Sequence, residues 1–199
     1  MLLANLASQL IHDSWDMSEV TDMSGLFHQN LLFYEYIGSW DTSNVTNVNS
    51  MFFLAINFSQ DIRRWDISNA TDISSMFCGA KAFNKYIGGW NVSKVTDISE
   101  MFRCAIKFNR DIGQWDVSNV TEMGRMFQHA SIFNQDIGQW DVSNVIDTRG
   151  MFSALWFNQD IGKCNVSNVR NMSEMFYGAI AFNQNIGRYI QCDFHGMNV

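Results

Sequence analysis

Proline is absent from this 199-residue chain. The residue that most often fixes a sharp corner is missing, so turns fall to Gly, Asn, Asp and Ser. Cysteine is scarce: Cys78, Cys104, Cys164 and Cys192 include no C-x-x-C pair, which argues against a zinc ribbon and leaves buried free thiols as the simplest reading. Basic charge is in deficit, with 13 Lys and Arg against 20 Asp and Glu and a net charge of −7. Such a surface repels phosphate backbones, so nucleic acid is a poor partner. No apolar run reaches the roughly 18 residues of a membrane span. The start, Met1 to Ala7, has no basic flank and only a broken apolar stretch, so no signal peptide is visible.

What the chain has is aromatic side chains and a period. It carries 16 Phe and 7 Trp, with 47% hydrophobic and 17% charged residues, the balance of a globular chain. Trp15, Trp40, Trp65, Trp90, Trp115 and Trp140 stand 25 residues apart, and Cys164 and Tyr189 continue the column after one step of 24. Met51-Phe52, Met76-Phe77, Met101-Phe102, Met126-Phe127, Met151-Phe152 and Met175-Phe176 keep the same register, as do Phe33, Phe58, Phe83, Phe108, Phe133, Phe157 and Phe182. Columns in one register over about seven copies are the signature of a stacked array. The single deletion falls between Met151 and Ala154, which marks a corner or the end of an element.

Two periods alternate inside a copy. Val120, Met123, Met126, Phe127 and Ala130 carry the i, i+3, i+6, i+7, i+10 spacing of one helix face, with Ser118 or Thr121 available as N-cap. Phe133 to Trp140 places Ile137 between polar residues and reads as a short strand. The expected fold is therefore a right-handed α/β solenoid of about seven leucine-rich-repeat-like coils, with one short parallel strand and one short helix in each and a coil spacing of about 4.8 Å. Residues 1–14 form an N-terminal cap, on the helical spacing of Leu3, Leu6, Ala7 and Leu10; residues 15–189 form the solenoid, and 190–199 a divergent tail.

The phrase FNQDIGQW from Phe133 to Trp140, continued by WDVSNVTEMGRMF from Trp115 to Phe127, resembles the repeat of the BspA-like leucine-rich-repeat surface proteins. The resemblance covers about Trp15 to Tyr189. It implies a leucine-rich-repeat-like fold, a cell-surface or extracellular setting and an adhesive role, and it implies no catalytic residues. The chain departs from that pattern at Tyr189 and in Ile190 to Phe194.

The remaining columns divide between scaffold and surface. Asp16, Asp41, Asp66, Asp116 and Asp141, with Asn91 and Asn165 in register, offer turn caps or a Ca²⁺ site between coils. Replacement of Asp by Asn favours the cap, and no metal or cofactor is expected. Asn84, Asn109, Asn134, Asn158 and Asn183 read as an asparagine ladder that bonds neighbouring backbone. Sequons such as Asn44, Asn69 and Asn119 follow from the repeat text. His12, His28, His129 and His195 share no column and complete no nucleophile motif, so no enzyme is expected. Asp61, Asp111, Asp136 and Asp160 share a column in which Tyr36 and Tyr86 stand in place of Asp. Positions that vary between copies are free to make contacts, which singles out Tyr34, Glu35, Tyr36, Lys85, Tyr86, Arg110 and Asp111 on the expected strand face as the surface for a protein or glycan partner. The two functions in view are surface adhesion or recognition, and a scaffold subunit docked in a larger assembly through its C-terminal end.

Overall fold

A computed structural model describes residues 15–153 and 156–187. The expected cap over 1–14 and tail over 190–199 lie outside these residues. The copies stack in register. A single parallel bridge per coil joins Asp22 to Asn47, and the same position continues through Asp72, Asp97, Glu122 and Asp147 to Asn171.

The expected strand and helix are both corrected. No described residue is helical, and the bridge is the only strand-like pairing among them. It lies inside the segment expected to be a helix, whereas the stretch expected to be a strand has none. Each coil is instead a run of tight turns. Val95 N donates to Val92 O, Met101 N to Ile98 O, Ala105 N to Phe102 O, Phe108 N to Ala105 O and Trp115 N to Ile112 O, at 2.9 to 3.3 Å. Turns closed between i and i+3 put a buried apolar residue at each end, so serial turns repeat every three residues. Over one or two turns of chain that spacing resembles a helix face.

Two features exclude the helix. First, left-handed φ recurs at two positions four residues apart, as at Glu100 (56°) and Cys104 (57°), or Arg125 (58°) and His129 (61°). A right-handed helix cannot hold such residues. Second, alternate N–H groups leave the coil. Ile98, Glu100, Phe102 and Cys104 donate to the carbonyls of Glu122, Gly124, Met126 and Gln128 in the next coil, at 2.8 to 3.0 Å. Coil spacing explains why this arrangement wins. Phe52, Phe77, Phe102 and Phe127 follow one another at ring-centroid distances of 5.7, 5.8 and 5.9 Å, whereas packed helices need about 8–10 Å between axes.

The core is this aromatic stack. Phe102 lies 3.8 Å from Phe108 within its coil, and Phe108 is 6.0 Å from Phe83 on one side and from Phe133 on the other. Both columns are fully buried there. The tryptophans line the next column, with Trp40 and Trp65 stacked at 6.3 Å and 1°. Indole N–H groups of Trp65, Trp90, Trp115 and Trp140 donate to the carbonyls of Ile37, Ile62, Ile87 and Ile112 in the preceding coil. Where Cys164 takes the Trp position, a small apolar cavity remains, lined by Trp140, Met151 and Phe152 among others. The one-residue deletion leaves the columns intact: Phe157 still stacks on Phe133 at 6.3 Å and Phe182 at 6.1 Å.

Candidate functional site

Most polar columns are committed to the scaffold. The Oδ1 atoms of Asp16, Asp41, Asp66, Asn91, Asp116, Asp141 and Asn165 each accept the N–H of the serine two residues on, at 2.9 to 3.2 Å. This is the corner-cap role, and Asn performs it as well as Asp. The serine hydroxyl, then its N–H, holds the carboxyls of Asp16, Asp41, Asp116 and Asp141 below the usual carboxylate range. The asparagine ladder is present: Oδ1 of Asn84, Asn109, Asn134 and Asn158 accepts the N–H of Asn109, Asn134, Asn158 and Asn183. These side-chain bonds stand where the expected strand would have placed a backbone ladder.

Two further columns have structural roles that the sequence reading did not assign. The bridge column itself is acidic, and Asp22, Asn47, Asp72, Asp97, Asp147 and Asn171 cap the N–H two residues on. Glu122 interrupts it. Burial, and then Asp147 and Asp97 on either side, push its carboxyl above the usual range. The sequon asparagines form a second ladder, with Nδ2 of Asn44, Asn69 and Asn119 donating to the carbonyls of Ser18, Ser43 and Ser93. Their recurrence in the repeat register, interrupted at Lys94, was the available signal.

The seven surface candidates separate under this geometry. Arg110 donates through Nε to the Asn84 carbonyl at 2.8 Å, and Asp111 accepts the Gly113 N–H at 2.9 Å, so both side chains bind the scaffold. Lys85 is half-buried. Tyr34, Tyr36 and Tyr86 are 62%, 49% and 50% exposed, and Glu35 is exposed beside them.

The tyrosines occupy a particular seat. Asp136, Asp160 and Asn185 cap Gly138, Gly162 and Gly187, as Asp111 caps Gly113. At Gly113, Gly138 and Gly162 a Cβ would strike the carbonyl of Asp136, Asp160 or Asn185 in the next coil. Tyr36 and Tyr86 cannot make the cap. Their rings lie over the glycines instead: a Cβ on Gly38 would fall 2.9 Å from Cε2 and from Oη of Tyr36, and one on Gly88 would fall 3.0 Å from Cε2 of Tyr86.

Between these two coils the glycine column is broken by Arg63, followed by Arg64. Arg63 Nε bonds both carboxylate oxygens of Asp61, at 3.0 and 2.9 Å. Its hydrogen bond, its charge and Lys85 hold Asp61 below the usual range. Tyr36, Gly38, Asp61, Arg63 and Arg64 together line an open polar concavity. The sequence reading found Tyr36 but missed the arginines, although among the described residues Arg63 alone replaces glycine in that column.

Among the described residues no group of three or more His, Cys, Asp or Glu is placed to hold a metal ion. His28 stacks on Phe53 at 4.7 Å. Burial pushes the Cys78 thiol up to about 12. No described helix is long and apolar enough to cross a membrane.

Residues 3–105 and 85–189 each match a family model described as Mycoplasma protein of unknown function, DUF285. No curated protein and no solved structure matches the chain.

Proposed function

Because the chain belongs to the DUF285 family of Mycoplasma proteins of unknown function, we propose that it is a non-catalytic repeat protein that recognises a protein or glycan through the Tyr36 face. The observation that carries this reading is the contrast between committed and uncommitted side chains. Asp, Asn, Trp and Gly columns are consumed by capping, laddering and stacking, whereas Tyr34, Tyr36 and Tyr86 stand about half or more exposed, the first two in one coil and Tyr86 two coils further on. Tyrosine combines a large apolar face with a polar tip and loses little entropy on binding, which suits it to an interface anchor. An adhesive role at a cell surface is the specific form of this function, supported by the resemblance of the repeat text to BspA-like surface proteins.

A scaffold role is the second reading. Its support is the last described coil, where Tyr177 is 60% and Ile180 84% exposed and Phe176 and Phe182 are only partly buried.

The test is binding of the labelled full chain to immobilised matrix proteins and glycans, compared with Tyr36→Asp/Tyr86→Asp. Aspartate is the residue that other coils carry at this position, so stability should change by no more than about 0.5 kcal/mol. Affinity should fall by about tenfold or more, the loss expected of an anchor. Unchanged affinity would refute the Tyr36 face. Sensitivity instead to Tyr177→Ser/Ile180→Ser would favour docking through the C-terminal end.

A further inference from the structure

We propose that the concavity beside Tyr36 binds an anionic saccharide, with the sugar ring on the tyrosine face and its carboxylate or sulfate on Arg64. This deepens the recognition reading above and rests on it.

The charge balance of the site points to a singly charged ring. Arg63 is engaged by Asp61 through both carboxylate oxygens. Arg64, in the same concavity, forms no hydrogen bond or ion pair with the described residues. Among the residues that line the concavity, one positive charge therefore remains for a ligand. A guanidinium presents a planar pair of N–H groups that match a carboxylate or sulfate. Dense polyanions fit poorly. Asp41 and Asp66 lie close by in the chain, at exposed corners of the same two coils, and the molecule as a whole carries −7.

The apolar half of the site is the tyrosine. The Cε2–Oη edge of the Tyr36 ring rests over Gly38, and the side chain is still 49% exposed, so ring surface is available to a ligand. A flat ring fixed on backbone is a stacking platform for the C–H face of a pyranose. Glycine makes this possible, because any side chain at Gly38 would lift the ring. The concavity has no aliphatic lining to hold a peptide side chain. It does have Tyr Oη and Asp61 to meet sugar hydroxyls. Tyr86 lies in the same column two coils along, where the adjacent phenylalanine column advances by 6.2 Å from Phe33 to Phe58 and by 5.8 Å from Phe58 to Phe83. Its ring covers Gly88 and Gly89 in the same manner and provides a second platform for a further sugar of one chain.

The experiment is titration of the full chain, followed by calorimetry and by chemical-shift changes, with three tetrasaccharides. Hyaluronan offers carboxylates, chondroitin sulfate adds sulfates, and chitotetraose is uncharged. We expect saturable binding of at least one acidic tetrasaccharide, at least tenfold tighter than any binding of chitotetraose. Which acidic probe is preferred identifies the anion. Arg64→Ala and Tyr36→Asp should each weaken it tenfold or more with an unchanged melting profile. Lys163→Ala should have no effect, since Lys163 is an exposed base in the Arg64 column with no tyrosine in the Tyr36 column of its own or the preceding coil. Absence of saturation by both acidic probes overturns the proposal, as does equal binding of chitotetraose. An equal loss in Lys163→Ala also overturns it, by showing unspecific charge attraction. If the acidic probes fail while a protein partner still binds in a Tyr36-dependent way, the saccharide is refuted and the recognition face stands.

Discussion

At the scale of the residue, the repeat depends on side chains chosen for what they do to the backbone. Aspartate and asparagine alternate freely in the corner column because the bond is made by Oδ1, which both possess. Serine follows two residues later because its N–H is the donor and its hydroxyl adds a second bond, as from Ser118 to Asp116 at 2.7 Å. Glycine is constrained more strongly. Gly113→Ala would place a Cβ 2.5 Å from the Asp136 carbonyl, which is backbone and cannot move aside without opening the coils. The variant should be destabilised by about 1–3 kcal/mol, the usual cost of overpacking, measured by chemical denaturation. Gly178→Ala is a contrasting control. Nothing lies within 4 Å of its Cβ position, so only the strain of φ +69° remains.

At the scale of the coil, the repeated caps predict the acid response. The corner carboxyls of Asp16, Asp41, Asp116 and Asp141 have folded pKa values below 3.8, the value of a free Asp side chain. A depressed pKa means that the unfolded chain binds more protons, so the contribution is full above that value and is lost as pH falls through the folded pKa. Melting temperature should therefore drop below about pH 4. Replacing these four residues by Asn, which keeps the cap, should flatten that drop. Glu122 has the opposite sign. Its folded pKa is raised above 4.5 by burial and by Asp147 and Asp97, so its contribution is present below the unfolded value and is lost as pH rises through the folded one. Glu122→Gln should raise the melting temperature at pH 7 and leave it unchanged at pH 3.5. Equal effects at both pH values would disprove this account.

At the scale of the molecule, identical coils make stability a matter of nearest neighbours. Phe102 touches Phe77, Phe108 and Phe127 and is fully buried, whereas Phe182 in the last described coil is only partly covered. Phe102→Ala should cost about 3–5 kcal/mol and split thermal unfolding into two steps by uncoupling the halves of the stack. Phe182→Ala should cost less and leave one transition. The stack also has a direction. On the Phe102 side every coil sends the N–H groups of alternate residues to the coil that follows, from Met23 and Gly25 in the first coil to Gly150 and Phe152 in the sixth. Aligned peptide dipoles make the C-terminal end of that side partially positive, as in a helix but along the stack.

The period, the register of the Trp, Phe and Met columns, the asparagine ladder and the corner caps were all legible in the sequence, because each is a residue type recurring at one interval. The local conformation was not. Apolar residues three apart satisfy a helix face and a run of i to i+3 turns equally well. The choice between them is made by the neighbouring coil, whose carbonyls accept alternate N–H groups and whose rings sit closer than helices can pack. Tyr34, Tyr36 and Tyr86 could be singled out as variable positions. That Arg110 and Asp111 were already spent on Asn84 and Gly113, and that Arg64 joins Tyr36 across two coils, were consequences of stacking. Residues about 25 apart become neighbours only when the coils are laid on one another.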